Sequence, residues 1–86
     1  MILIFARKFR KQLLKHSAAV QERCKDRLAL FAREPFHPTL RNHALEGKLA
    51  HYRSINITGN LRAVYDPIDE TTARFFAFGT HSELYE

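Results

Sequence analysis

The feature that most constrains this chain is a change of hydrophobic period at Pro35 and Pro38. Before the prolines, apolar residues recur at helical spacing. Phe5, Phe9 and Leu13 form one such series, with Leu14 beside it; Val20, Cys24, Leu28 and Phe31 form another. After the prolines the pattern alternates. Arg53, Ile55 and Ile57 fall on one face of an extended segment, and Tyr52, Ser54, Asn56 and Thr58 fall on the other. With 86 residues the chain has room for one domain, spanning 1–86. Helices and sheet must therefore share a single core.

The boundaries follow from local chemistry. Ile2–Phe5 predicts a short strand of β-branched and aromatic residues. A first helix should run to about His16, with Arg7, Lys8, Arg10, Lys11 and Lys15 on its other sides. Ser17 is the expected N-cap of a second helix over 18–33, although Val20 stands where a capping box needs Glu or Gln. Pro35 and Pro38 stop that helix, and residues 35–39 read as a loop. Three strands should follow, over 51–58, 61–66 and 72–78, with turns at Thr58-Gly59-Asn60 and Pro67–Thr71. Gly79 should end the last strand, leaving His81–Tyr85 as a final turn or short helix. The expected fold class is α+β: an antiparallel-rich four-stranded sheet with an N-terminal αα-hairpin packed on one face, in the order βααβββ. The second sheet face is expected to stay open, as antiparallel sheets tolerate.

Charge is unevenly placed. The chain carries a formal +5, yet residues 1–33 hold nine Lys/Arg and two acidic residues, a net of +7. The remainder holds five basic and seven acidic residues, a net of −2. A basic half suits an acidic partner, nucleic acid or protein. A single cysteine, Cys24, excludes an internal disulfide and a cysteine-based zinc site, which fits a reducing cytoplasm. No run approaches the ~20 apolar residues of a membrane span. Met1–Phe5 lacks the flanks of a signal peptide, so a cytoplasmic location without membrane contact is expected.

The sequence has no glycine-rich phosphate loop, no paired cysteines and no His-Glu-x-x-His pattern. The histidines at 16, 37, 43, 51 and 81 have no ligand-like spacing, so neither metal nor cofactor is expected. What remains is a set of His, Arg and Tyr residues. That set suits attack by a ribose 2′-OH on the adjacent phosphodiester. The reaction needs a proton acceptor, a proton donor and cations around the phosphorane. Histidine titrates in the right range, arginine grips phosphate at two points, and an aromatic ring can stack on a base. Phe75, Phe76 and Phe78 read as core, and so does Cys24; His37, His51 and Arg74 read as structural or solvated.

Four ordered segments carry a resemblance. They are Asn42-His43-Ala44-Leu45-Glu46-Gly47, Tyr52-Arg53, Leu61-Arg62-Ala63-Val64-Tyr65 and Gly79-Thr80-His81-Ser82-Glu83-Leu84-Tyr85. In this series the chain resembles the RelE/ParE toxin superfamily of bacterial toxin–antitoxin systems, most of all its YafQ-like branch. The resemblance implies a metal-independent mRNA endoribonuclease acting on translating ribosomes and neutralised by an acidic, DNA-binding antitoxin. It implies catalytic roles for His81, His43, Arg62 and Tyr85. Arg53 and Arg62 would hold RNA phosphate, and Lys48 is grouped with them. The chain departs from the branch at Asn56, where relatives carry histidine, at Asn60-Leu61, where they carry an acidic residue and Trp, and at Ala77, where they carry arginine. Two other readings stay open: a ParE-like toxin that poisons gyrase by binding, and a non-toxic module that binds antitoxin or RNA.

Overall fold

A computed structural model describes residues 1–85. The chain runs β1 (Ile2–Phe5), α1 (Arg7–Leu14), α2 (Ala18–Arg33), β2 (His43–Ala44), β3 (Arg53–Thr58), β4 (Leu61–Asp69), β5 (Thr72–Thr80) and α3 (His81–Tyr85). Short 3₁₀ turns occupy Pro38–Leu40 and Gly47–Leu49.

The first helix starts under an electrostatic handicap. Arg7 and Lys8 occupy its first turn, which holds no acidic residue, and Ala6 provides no side-chain cap. Packing compensates. Phe9 is buried, and its ring lies 5.5 Å from that of Phe5 and 5.8 Å from that of Phe75. The second helix starts as expected, with the Ser17 hydroxyl accepting from the Val20 N–H at 3.2 Å. Its Cys24 and Phe31 are fully buried. Both helices lie on one face of the sheet, over a core that includes Phe9, Phe31, Ile55, Tyr65, Phe75 and Phe78.

The sheet has five strands, in the order β1-β5-β4-β3-β2, rather than four. The added strand is β2, whose His43 and Ala44 pair with Ser54 and Arg53. Two residues offer no alternation to read, so this strand leaves no periodic signal. The sheet is antiparallel except where β1 lies parallel to β5. Three strand ends also move, and one of them is β5, which runs through Gly79 to Thr80. β4 runs through Pro67 to Asp69, because past Tyr65 it no longer pairs with β3, and a proline is tolerated at such an edge. β3 begins at Arg53, two residues later than expected, because a 3₁₀ turn occupies Gly47–Leu49.

The second face is not fully open. Ser54, Val64 and Ala77 lie in register across β3, β4 and β5, and all three are buried. Leu49 of the second 3₁₀ turn and Leu84 and Tyr85 of α3 gather around Val64 and Ala77. Part of this face is covered and part lines a cavity.

Candidate functional site

The cavity, of about 550 Å³, is lined by His43, Ala44, Leu45, Glu46, Lys48, Leu49, Arg62, His81 and Tyr85. One wall comes from β2 and the turn after it, the floor from β4, and the opposite wall from α3. Gly47 stands at φ +63°, a left-handed conformation that frees the chain to turn there and present Lys48.

His43 is held by the backbone. Its Nδ1 lies 2.8 Å from the carbonyl oxygen of Arg41, a residue in the left-handed region at φ 47°. A carbonyl can only accept, so Nδ1 carries the hydrogen and Nε2 keeps its lone pair in the neutral ring. That arrangement suits a proton acceptor.

Arg62 is fixed from one side. Its Nη1 donates to the Asn56 Oδ1, and the two residues pair across β3 and β4. The Arg62 Nε is buried without a hydrogen-bond partner among the described residues, and so is the Tyr85 hydroxyl. A buried polar group without a partner costs about 1–3 kcal/mol. Both residues line the cavity, and the guanidinium supplies it with positive charge. Asn56 thus occupies the departing histidine position as an arginine holder, because an amide oxygen accepts but cannot exchange protons near neutral pH. Ala77 lies across from Val64 and packs.

The last wall is built by a local motif. The Thr80 N–H donates to the Glu83 carboxylate at 2.8 Å, and the Glu83 N–H donates to the Thr80 hydroxyl at 3.2 Å. This is a capping box, legible in the sequence as Thr80-x-x-Glu83 and missed there. The Thr80 N–H, and then its hydroxyl, hold the Glu83 carboxyl below the ordinary carboxylate value. His81 and Tyr85 are four apart and share one helix face, with ring centroids at 4.6 Å.

Of the six side chains expected at the site, five line this cavity: His43, Lys48, Arg62, His81 and Tyr85. Arg53 does not. It stands on the helix-covered face, where its Nε donates to the Asn42 Oδ1 at 2.8 Å and its guanidinium lies 5.2 Å from the Phe36 ring centroid. Asn42 in turn donates from Nδ2 to the Pro35 carbonyl and the Tyr65 hydroxyl, both at 2.8 Å. Arg53, expected at the phosphate, stands outside the cavity and ties the loop between α2 and β2 to the sheet. The period-2 alternation separates Arg53 from Asn56, but only the placement of the helices shows which face is covered.

Phe75 and Phe78 are core as read, whereas Phe76 is only half-buried, its ring 4.6 Å from that of Tyr52. The His37 Nδ1 accepts from the Thr39 N–H at 3.1 Å and caps a turn. Cys24 is buried, and burial pushes its thiol up to about 12, so it offers no nucleophile. Among the described residues, no three His, Cys, Asp or Glu side chains group as metal ligands, and no helix is long and apolar enough to cross a membrane.

Comparison with known proteins places this geometry. A family model described as the bacterial toxin of a type II toxin–antitoxin system, YafQ, matches residues 3–86. The fold is similar to that of YafQ from E. coli, at TM-score 0.79 and 18% identity over 98% of this chain and 97% of that one. The same relative in the E. coli DinJ–YafQ toxin–antitoxin complex aligns at TM-score 0.77 and 19% identity, over 98% and 96% of the two chains. A copper-bound mutant toxin from Helicobacter pylori aligns at TM-score 0.73 and 27% identity, over 99% of each chain. A YoeB/ParE toxin from Agrobacterium tumefaciens aligns at TM-score 0.77 and 22% identity, over 94% and 99%. No curated protein matches in sequence.

Proposed function

The chain belongs to the YafQ toxin family of type II toxin–antitoxin systems, and from that premise we propose that it is a cytoplasmic, metal-independent endoribonuclease that cleaves mRNA on translating ribosomes. One observation carries the reading. His43, Lys48, Arg62, His81 and Tyr85 come from separate segments of the chain and line a single cavity with two unpartnered donors. Two imidazoles and two cations around such a space match the needs of phosphodiester cleavage by the neighbouring 2′-OH.

In this mechanism the His43 Nε2 takes the proton of the ribose 2′-OH. The 2′-oxygen attacks phosphorus, and the bond from phosphorus to the 5′-oxygen breaks. His81 gives a proton to that leaving oxygen. The products are a 2′,3′-cyclic phosphate and a 5′-hydroxyl end. Arg62, through its guanidinium, meets the charge that grows on the phosphoryl oxygens. Lys48 adds a second positive charge at the rim. Tyr85 orients the base or ribose beside the scissile bond.

An antitoxin partner follows from the same premise, since E. coli YafQ is found in complex with DinJ. The basic hairpin supplies the complementary charge for an acidic, DNA-binding antitoxin.

The test is translation-coupled mRNA cleavage by wild type and by the His81→Ala, Arg62→Ala double variant. Cleavage by wild type and none by the variant is expected. Equal cleavage by both overturns the site. Arrested DNA supercoiling with intact mRNA would move the reading to a gyrase poison, and harmless expression would move it to a binding module.

A further inference from the structure

We propose that Glu83 is a positioning residue of this site: its carboxylate and Thr80 form a clasp that seats α3 and thereby sets where His81 and Tyr85 stand relative to Arg62. The inference rests on the reading of the cavity as an RNA-cleaving site.

α3 is five residues long, and none of them is fully buried. A helix this short has no stability of its own, because nucleation costs more than so few hydrogen bonds return. Its packing is partial. The two reciprocal bonds between Thr80 and Glu83 are therefore the local fixings of its first turn. They are followed by the one-turn spacing that puts His81 and Tyr85 side by side.

The carboxylate is also fixed against the sheet. A Cβ on Gly79 would lie 3.1 Å from the Glu83 Oε1, so the glycine leaves the space in which the carboxylate rests. Gly79 is the direct cross-strand partner of Arg62. One side chain thus ties the helix that carries His81 and Tyr85 to the strand row that carries Arg62. Glu83 does not itself line the cavity, so its part is placement and not chemistry.

Full-length wild type, Glu83→Ala and Glu83→Gln are compared. Gln keeps an acceptor oxygen and loses the charge. Four readouts are taken: kcat and KM for cleavage, hydrogen exchange of the Thr80 amide, the His81–Tyr85 ring contact by NMR, and the melting curve. For Glu83→Ala a kcat about tenfold lower is expected, the scale of one lost N-cap. KM and the melting curve should stay close to wild type. Thr80 exchange should accelerate, and the ring contact should be lost. Glu83→Gln should restore all of these to within about threefold.

Three outcomes overturn the proposal. The first is wild-type kcat in Glu83→Ala. The second is a Gln variant as impaired as the Ala variant. The third is faster exchange spread evenly over the whole backbone, which marks a general structural role. If wild type cleaves no RNA, the nuclease reading fails on its own. The clasp is then judged on the ring contact, whose survival in Glu83→Ala overturns it.

Discussion

The two faces of the sheet are built on opposite principles. Under the helices, aromatic rings fill the space: Phe31 meets Tyr65 at 4.9 Å and Phe75 at 5.3 Å, both edge-on. Phe31, Phe75 and Ile55 have no exposed surface. On the far face, small or polar residues form the floor, and the Ser54 hydroxyl, the Arg62 Nε and the Tyr85 hydroxyl are buried without hydrogen-bond partners among the described residues. The first face gains stability from apolar burial. The second gives up some of it, with small or polar residues and three unpartnered buried polar atoms in place of rings. Under the proposed function, stability and chemistry are separated across one sheet thickness, and a substitution should disturb one or the other according to the face it occupies.

The largest effect is expected from the covered face. Phe75→Ala should cost about 3–5 kcal/mol, because it empties the centre of the ring cluster. In a domain of this size that lowers the melting temperature by ~12 °C or more, measured by calorimetry or urea titration. A loss under 1 kcal/mol would mean that the two faces are not energetically distinct. Next comes Arg62→Ala on the far face. Its cleavage rate should fall by about 10²–10³, as for removal of one oxyanion donor, while stability holds to within ~1 kcal/mol. Comparable losses of folding and activity would erase the contrast.

A smaller effect sharpens the contrast from the covered face. Arg53→Ala should lower stability by about 1–2 kcal/mol, from one charged hydrogen bond and one cation–π contact, and leave cleavage unchanged. A selective loss of cleavage would return Arg53 to the phosphate site. The smallest effect concerns Cys24. Its folded thiol ionises at about 12 against an ordinary 9.0. The buried neutral form is favoured, so its contribution is intact below pH 9 and is lost as pH rises towards 12. Iodoacetamide labelling at neutral pH should therefore be slow in the folded protein and fast in urea, followed by mass spectrometry. Cys24→Ser should flatten the alkaline arm of the stability curve.

The helical hairpin teaches a related lesson about charge. Residues 1–33 carry the +7 excess, whereas all five proposed site side chains that line the cavity belong to the half with a net of −2. Net charge marks the surface for partners, and it says little about where bonds break.

Much of the molecule was legible because it is decided locally. The helical stripe of Val20, Cys24, Leu28 and Phe31, the Ser17 cap, the stop at Pro35 and the Gly59 turn at φ +55° depend on neighbours only a few residues away. The site's residue types were legible for the same reason, through short ordered segments. The strand β2, the buried Ser54 and the burial of Arg53's face were not. Each depends on which side of the sheet the hairpin packs, and the strands carry apolar residues on both sides.

The sequence by itself determined the periods, the caps and the set of side chains available for chemistry, because those follow from spacing along the chain. The tertiary structure alone decided which arginine faces the cavity and which holds a loop. A strand offers two equivalent faces, and only the non-local burial of Phe31, Ile55 and Phe75 against the helices makes one of them the inside.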